Sequence, residues 1–248
     1  MTGKFRVQWK RVENLLGAIA KRKALLKSYE DYWLKLRPDT SERYMDCWVF
    51  SAMSYLNTWQ NNVSAYRHLK SLGYPLHRLG QQTLLDEVKK SGCGIYQRRF
   101  DSIWDADQLI WHNPGQMYQK PNESLPAFRA RLRANVRGLG MAKISFVIEM
   151  LYPTSQEVVC LDRHGLRAYG LSDGASVTQS LYEDLEAHWC STCKDLNIAA
   201  PLARHIMWDQ LRKKWSTRYW SYILEDPARA NEGYYNVHQP RYNGLLKV

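Results

Sequence analysis

Apolar and polar positions alternate at helical spacing along most of the chain. The first example spans residues 10–36, where apolar residues recur every three or four positions until Arg37 and Pro38 interrupt them. A second pattern begins at Ser41, which we expect to cap its helix. The predicted helices cover residues 10–36, 41–53, 63–72, 83–90, 96–109, 126–135, 141–151, 163–170, 178–188 and 199–224. One short apolar run, residues 158–161, favours an extended segment, so the sequence predicts an all-α protein.

The composition restricts the class of protein and suggests a kind of partner. The 248 residues carry 35 Lys and Arg against 24 Asp and Glu, a net charge of +11. No run approaches the roughly 18 apolar residues of a membrane helix, and the basic N-terminal segment lacks the apolar region of a secretory signal. We therefore expect an intracellular protein of the cytoplasm or nucleoid, without membrane contact. Its positive charge favours a polyanionic partner.

The five cysteines are few and odd in number, which favours reduced thiols over a disulfide scaffold. Cys190 and Cys193 form the one CxxC motif. A structural zinc site needs a second pair of ligands nearby, which the sequence lacks. We interpret both residues as ordinary thiols on a helix and expect no metal.

A Gly-Leu-Gly segment between two predicted helices is the first candidate for function. Two glycines allow a tight turn and expose backbone N–H groups at the start of the next helix, where the helix dipole favours an anion. The segment therefore predicts a helix-hairpin-helix that binds nucleic-acid phosphates without reading sequence. The residues expected to contact DNA there are Arg137, Gly138, Leu139, Gly140, Met141 and Ala142.

Lys143 stands where an apolar residue is expected. Ser145 and Glu149 define the polar face of the helix that begins near Met141, whereas Lys143 lies on the face of Phe146. One interpretation is a lysine whose amine reaches solvent from the first turn. The other is an amine nucleophile, because apolar walls and the positive end of a helix dipole both favour deprotonation.

Asp162 ends the extended run 158–161, where the next helix begins. Asp is a preferred helix N-cap, and this position is an N-cap site. Capping fixes the direction of the carboxylate, so a structural role is compatible with a second role opposite a developing positive charge.

These motifs together resemble the helix-hairpin-helix superfamily of DNA glycosylases. Gly138 to Lys143 resembles the hairpin and its lysine, and Leu161-Asp162-Arg163-His164 is similar to the segment carrying the catalytic aspartate in 8-oxoguanine glycosylases of archaeal type. Endonuclease III-like enzymes are the wider relatives. The resemblance implies two helical lobes around an active-site cleft, with residues 46–155 as a barrel lobe containing the hairpin. Residues 1–45 and 156–248 would form the second lobe.

The resemblance also implies an activity and its residues. A monomer would flip a damaged base, first of all 8-oxoguanine, out of double-stranded DNA during base excision repair. Lys143 would attack the sugar and leave a Schiff base that permits strand cleavage (AP lyase activity), and Asp162 would stabilise the cationic sugar. Asn57 would fill the vacated stack, and His164 would contact phosphate or serve the structure. Candidates for the base pocket, each also a candidate for the core, are Trp59, Trp111, Trp208 and Trp215.

Two departures from the family pattern matter. The catalytic lysine of bifunctional members usually follows the second hairpin glycine by two positions, where this chain has Ala142, while Lys143 follows by three. If Ala142 is the equivalent position, the chain resembles a monofunctional enzyme that relies on Asp162. An iron–sulfur cluster needs four cysteines near the C-terminus, and only Cys190 and Cys193 stand there, so we expect no cluster.

Two alternatives remain open at this level. The same fold could act on a deliberately modified base, such as a hypermodified pyrimidine in viral DNA. A non-catalytic module could use the hairpin only to bind the DNA backbone, although it would not need both Lys143 and Asp162.

Overall fold

The computed structural model describes residues 7–55, 57, 59–171 and 177–211, without the side chains of Trp59 and Gln60. These residues contain eleven α-helices and no β-strand, which confirms the predicted all-α class. The helices are α1 (Trp9–Ala20), α2 (Lys23–Leu36), α3 (Ser41–Met53), α4 (Trp59–Ser71), α5 (Gln81–Lys90), α6 (Tyr96–His112), α7 (Leu125–Asn135), α8 (Met141–Leu151), α9 (Arg163–Ala168), α10 (Gln179–Asp195) and α11 (Ala200–Leu211).

Several predicted boundaries were wrong. The helix predicted over 63–72 already begins at Trp59, within the stretch expected to interrupt it. The long helix predicted over 10–36 is two helices, because α1 ends at Ala20 and α2 begins at Lys23. The cap of α3 is Thr40 rather than Ser41, since the Thr40 hydroxyl accepts the Arg43 N–H at 3.2 Å. The helix predicted over 178–188 continues to Asp195. Beyond α11, the remainder of the stretch 199–224 lies outside the described residues.

The helices pack in two groups. Helices α3 to α8 contact one another around α3, whereas α1, α2, α9, α10 and α11 contact one another around α11. Fully buried Trp48 lies in the first group, and fully buried Trp33 and Trp189 lie in the second. This grouping follows the order of the chain, since the second group comes from both ends. The lobe boundaries at residues 46–155 stay a prediction.

Helix α8 corrects one expectation from the sequence. Ser145 and Glu149 do not form a solvent-facing polar side, because both are fully buried. The Ser145 hydroxyl accepts a hydrogen bond from Arg129 at 2.8 Å, and the Glu149 carboxylate pairs with Arg204. The polar side of this helix therefore faces two buried arginines. None of the described helices combines the length and apolar character needed to cross a membrane.

Candidate active site

The predicted hairpin joins α7 to α8, and its first glycine is required by geometry. Gly138 has φ +81°, and a Cβ there would lie 2.1 Å from the backbone oxygen of Arg98. Gly140 caps α8 in an extended conformation and has no side chain to accept the first N–H groups of the helix. Arg137 binds Asp105 through its backbone N–H and two guanidinium nitrogens, at 2.8 to 3.0 Å.

A cavity of about 780 Å³ lies beside the start of α8. It brings together eight of the residues predicted from the sequence as site residues, three of which are predicted DNA contacts in the hairpin and the start of α8. The predicted residues on its wall are Asn57, Gly140, Met141, Ala142, Lys143, Asp162, His164 and Trp208. Arg137, Gly138, Leu139 and Trp111 are not among the cavity-lining residues. Trp215 and the side chain of Trp59 lie outside the described part of the chain.

Two serines at the end of α3 hold Lys143. The Lys143 amine donates to Ser54 Oγ at 2.7 Å, and Ser54 donates its own hydroxyl proton to the Ser51 carbonyl at 2.8 Å. Ser51 in turn donates to the Lys143 carbonyl at 2.8 Å. One helix end thus fixes both the backbone and the amine of the same residue.

The surroundings of the Lys143 amine favour its neutral form. Burial lowers the pKa of Lys143, and the charges of Arg204 and Arg99 lower it further, against the opposing effects of Cys160 and Asp162. The amine also lies 5.8 Å from the centre of the Phe146 ring. A lysine in this state can act as a nucleophile, because only the neutral amine has a free electron pair.

Asp162 is the N-cap of α9, as its position in the sequence indicates. Its Oδ1 accepts the backbone N–H groups of His164 at 2.9 Å and Gly165 at 3.2 Å. These two bonds fix the carboxylate at the wall of the cavity that also contains Lys143. The N-cap role and a chemical role are therefore compatible at this residue.

The segment before Asp162 has no neighbouring strand among the described residues and is held by side chains instead. The N–H of Val159 donates to Glu186 at 3.0 Å, and that of Cys160 donates to Glu149 at 2.7 Å. The N–H of Leu161 donates to the Tyr182 hydroxyl at 3.1 Å. Three consecutive backbone donors thus have buried side-chain acceptors, which satisfies the polar groups of an extended chain inside a helical protein.

Asn57 follows α3 and lies with its amide turned toward the protein. Its Nδ2 donates to the Met53 carbonyl at 3.2 Å and to Cys93 Sγ at 2.8 Å. Buried Arg99 donates to the carbonyls of Ala52 and Met53 at 2.9 and 2.6 Å, so it closes the end of the same helix. The role of Asn57 in filling a DNA stack stays a prediction.

Sequence reasoning missed several residues near this cavity. Ser54 and Arg204 line it, but neither lies within a recognisable motif. Ile95 and Tyr96 form an exposed apolar pair at the start of α6, next to Cys93 and close to the hairpin contact at Arg98. Ile95 has φ +58°, which is unfavourable for a β-branched residue. Two adjacent apolar residues after Gly-Cys-Gly were the signal available in the sequence.

The five cysteines are free and buried. Burial raises the pKa of the Cys190 and Cys193 thiols, which keeps them protonated on α10. The described residues contain no group of three or more His, Cys, Asp or Glu side chains able to hold a metal ion.

Comparison with known proteins gives structural neighbours. No protein-family model matches the chain, and no curated protein sequence matches it significantly. The 8-oxoguanine glycosylase/lyase of Methanocaldococcus jannaschii, solved with a 15mer DNA containing 8-oxoguanine, superposes with a TM-score of 0.61 and 15% identity, over 79% of this chain and 93% of that one. A second structure, of the 8-oxoguanine DNA glycosylase from the same organism, superposes with a TM-score of 0.58 and 18% identity, over 84% of this chain and 94% of that one.

A bacterial structure agrees with these two. The 8-oxoguanine DNA glycosylase of Thermotoga maritima superposes with a TM-score of 0.62 and 16% identity, over 85% of this chain and all of that one. The chain therefore has the helix-hairpin-helix fold of the 8-oxoguanine DNA glycosylases.

Proposed function

We propose that this protein is a DNA glycosylase that also cleaves the strand through a Schiff base on Lys143, with 8-oxoguanine as its first candidate substrate. The observation that carries the proposal is a lysine of lowered pKa on the same cavity wall as a carboxylate fixed by helix capping. The substrate is suggested by the three structural neighbours, which are 8-oxoguanine glycosylases.

The proposed reaction assigns a separate task to each residue. The neutral Lys143 amine attacks the sugar C1′ of a flipped nucleotide, and the glycosidic bond breaks with its electron pair on the base. Asp162 stabilises the positive charge that develops on the sugar and takes up the proton that the attacking nitrogen loses. The ring oxygen takes up a proton as the sugar ring opens to the Schiff base. Loss of a C2′ proton then breaks the C3′–O bond, so that the 3′ phosphate group leaves and the strand is cleaved.

DNA would lie across the hairpin and the neighbouring loops. The uncapped N–H groups at the start of α8 suit a backbone phosphate. Asn57 and the exposed pair Ile95 and Tyr96 flank the same region and suit the space left by a flipped nucleotide. An apolar pair fits such a role because side chains inserted between bases are commonly apolar.

Borohydride trapping tests this proposal directly. The protein is mixed with duplexes containing 8-oxoguanine, uracil, thymine glycol or an abasic site, and borohydride reduces any Schiff base to a stable adduct. We expect an adduct with 8-oxoguanine and abasic DNA that disappears in Lys143→Gln and falls by about 100-fold or more in Asp162→Asn. Lys27→Gln is the control, since Lys27 pairs with Glu30 and Asp31 on the surface of α2.

Each other outcome has a definite meaning. Base release without an adduct contradicts the lyase activity and leaves a monofunctional glycosylase. An adduct that persists in Lys143→Gln places the nucleophile elsewhere. DNA binding with neither base release nor an adduct contradicts the proposed function and favours a non-catalytic hairpin module or a modified base as substrate.

A further inference from the structure

Arg204 is a buried arginine, and two of its three guanidinium nitrogens donate hydrogen bonds to Glu149. It is 1% exposed. Its Nε donates to Glu149 Oε1 at 3.3 Å, and its Nη2 donates to Glu149 Oε2. Glu149 also accepts the N–H of Cys160, two residues before Asp162. This pair of contacts holds the guanidinium in one orientation.

The third nitrogen of Arg204 has a different environment. Nη1 has no hydrogen-bond partner among the described residues, and it is not one of the side-chain polar atoms that are fully buried without a partner. Arg204 is also a cavity-lining residue. A nitrogen that is neither bonded nor enclosed, on a side chain that is almost completely buried, presents its N–H groups to the cavity.

The guanidinium lies beside the groups that would carry the reaction. Its carbon is 5.2 Å from the centre of the Phe146 ring, and the Lys143 amine lies 5.8 Å from the same centre. Burial alone lowers the pKa of Arg204, but the charge and hydrogen bond of Glu149, together with Cys160 and Asp162, raise it overall. The side chain therefore stays positively charged throughout the pH range of the reaction.

We propose that Arg204 is a catalytic residue that donates a hydrogen bond from Nη1 to the departing base. When the C1′–N bond breaks, the electron pair leaves on the base and makes it an anion until it takes up a proton. A fixed cation beside the base stabilises that charge in the transition state more than in the bound substrate. This inference rests on the proposed glycosylase function and selects bases with a carbonyl oxygen or ring nitrogen facing Nη1.

The two half-reactions separate this role from a structural one. Base release needs a stabilised leaving group, whereas adduct formation with a preformed abasic site has no base to expel. The test therefore compares single-turnover release of the base that the wild-type protein excises with borohydride trapping on abasic DNA. In Arg204→Lys, we expect release to fall by roughly 100-fold, while the trapping rate stays within a few-fold of the wild-type rate.

The chain offers a matched control. Arg129 is also almost completely buried, pairs with Glu186 through two nitrogens, and Glu186 likewise holds a backbone N–H of the same extended segment. Arg129, however, does not line the cavity. Arg129→Lys should therefore change base release and trapping by the same factor. Equal losses of both activities in Arg204→Lys would overturn the proposal.

A second variant tests the proposal if Arg204→Lys does not fold. Arg204→Met combined with Glu149→Gln removes both charges, and the glutamine oxygen can still accept the Cys160 N–H. We expect this double variant to trap abasic DNA and to release base slowly, and undiminished base release in it contradicts the proposal. If the wild-type protein itself neither releases a base nor traps abasic DNA, the proposed function fails, and the role of Arg204 fails with it.

Discussion

A ring of hydrogen bonds fixes the amine that the reaction needs. Because the Ser54 proton is donated to the Ser51 carbonyl, Ser54 can only accept from Lys143. One N–H of the amine is therefore directed at Ser54, and the electron pair of the neutral amine is directed elsewhere. Ser54 acts by orienting the Lys143 amine and contacts neither the sugar nor the base in the proposed reaction, so we assign it as a positioning residue.

The pH dependence of adduct formation tests this arrangement. With saturating abasic DNA, the trapping rate should rise with pH and level off, with a midpoint below the ordinary lysine pKa of about 10.4, because burial lowers the pKa of Lys143. Ser54→Ala should lower the plateau by roughly tenfold. It should also move the midpoint to lower pH, since the protonated amine loses an acceptor.

Ser91→Ala is the control for this measurement. Ser91 is the C-cap of α5 and donates to the carbonyl three residues earlier, as Ser54 does at the end of α3. Ser91→Ala should leave the plateau and the midpoint of the trapping rate unchanged. An unchanged plateau in Ser54→Ala would contradict the positioning role.

Among the helices and turns, the features predicted correctly from the sequence are those that depend on residues close together in the chain. The two ends of α8, the hairpin glycines and the N-cap at Asp162 all follow from neighbouring residues. The buried partners could not be found in this way, because Arg129 and Glu186 are 57 positions apart and Arg204 and Glu149 are 55 apart. A polar residue on a helix is assigned to solvent unless its distant partner is known.

The joint between α6 and the hairpin gives a prediction at this scale. Gly138→Ala should lower the free energy of unfolding by about 2 to 4 kcal/mol, since the methyl group meets the Arg98 carbonyl and φ is positive. Gly140→Ala should change it by about 1 kcal/mol or less, because nothing lies within 4 Å of its Cβ position and its φ is −81°. Urea unfolding of both variants compares them, and equal losses would contradict the steric argument.

At the scale of the molecule, two buried ion pairs join the two helix groups. Arg129 on α7 pairs with Glu186 on α10, and Glu149 on α8 pairs with Arg204 on α11. Both glutamates also hold the extended segment that ends at Asp162. The position of the carboxylate therefore depends on how the two groups pack together.

Removing one partner of such a pair should be costly. Arg129→Met leaves the Glu186 carboxylate buried and unpaired, so we expect the free energy of unfolding to fall by roughly 3 to 5 kcal/mol. Adding Glu186→Gln should restore most of this loss, because the charge is gone and an oxygen remains for the Val159 N–H. Chemical denaturation of the single and double variants measures both effects, and a double variant no more stable than the single one would contradict this account.

The contact between Gly138 and the Arg98 carbonyl has a consequence for how the sequence can diverge while the fold is kept. On one side the contact requires glycine, but on the other side it uses a backbone oxygen that every amino acid carries. Position 98 can therefore accept substitutions without loss of this contact. The identity of the residue at position 98 does not reveal that its backbone oxygen contacts Gly138. Joints of this kind allow a tertiary arrangement to persist while most side chains are replaced, which is compatible with superposition over 79 to 84% of the chain at 15 to 18% identity.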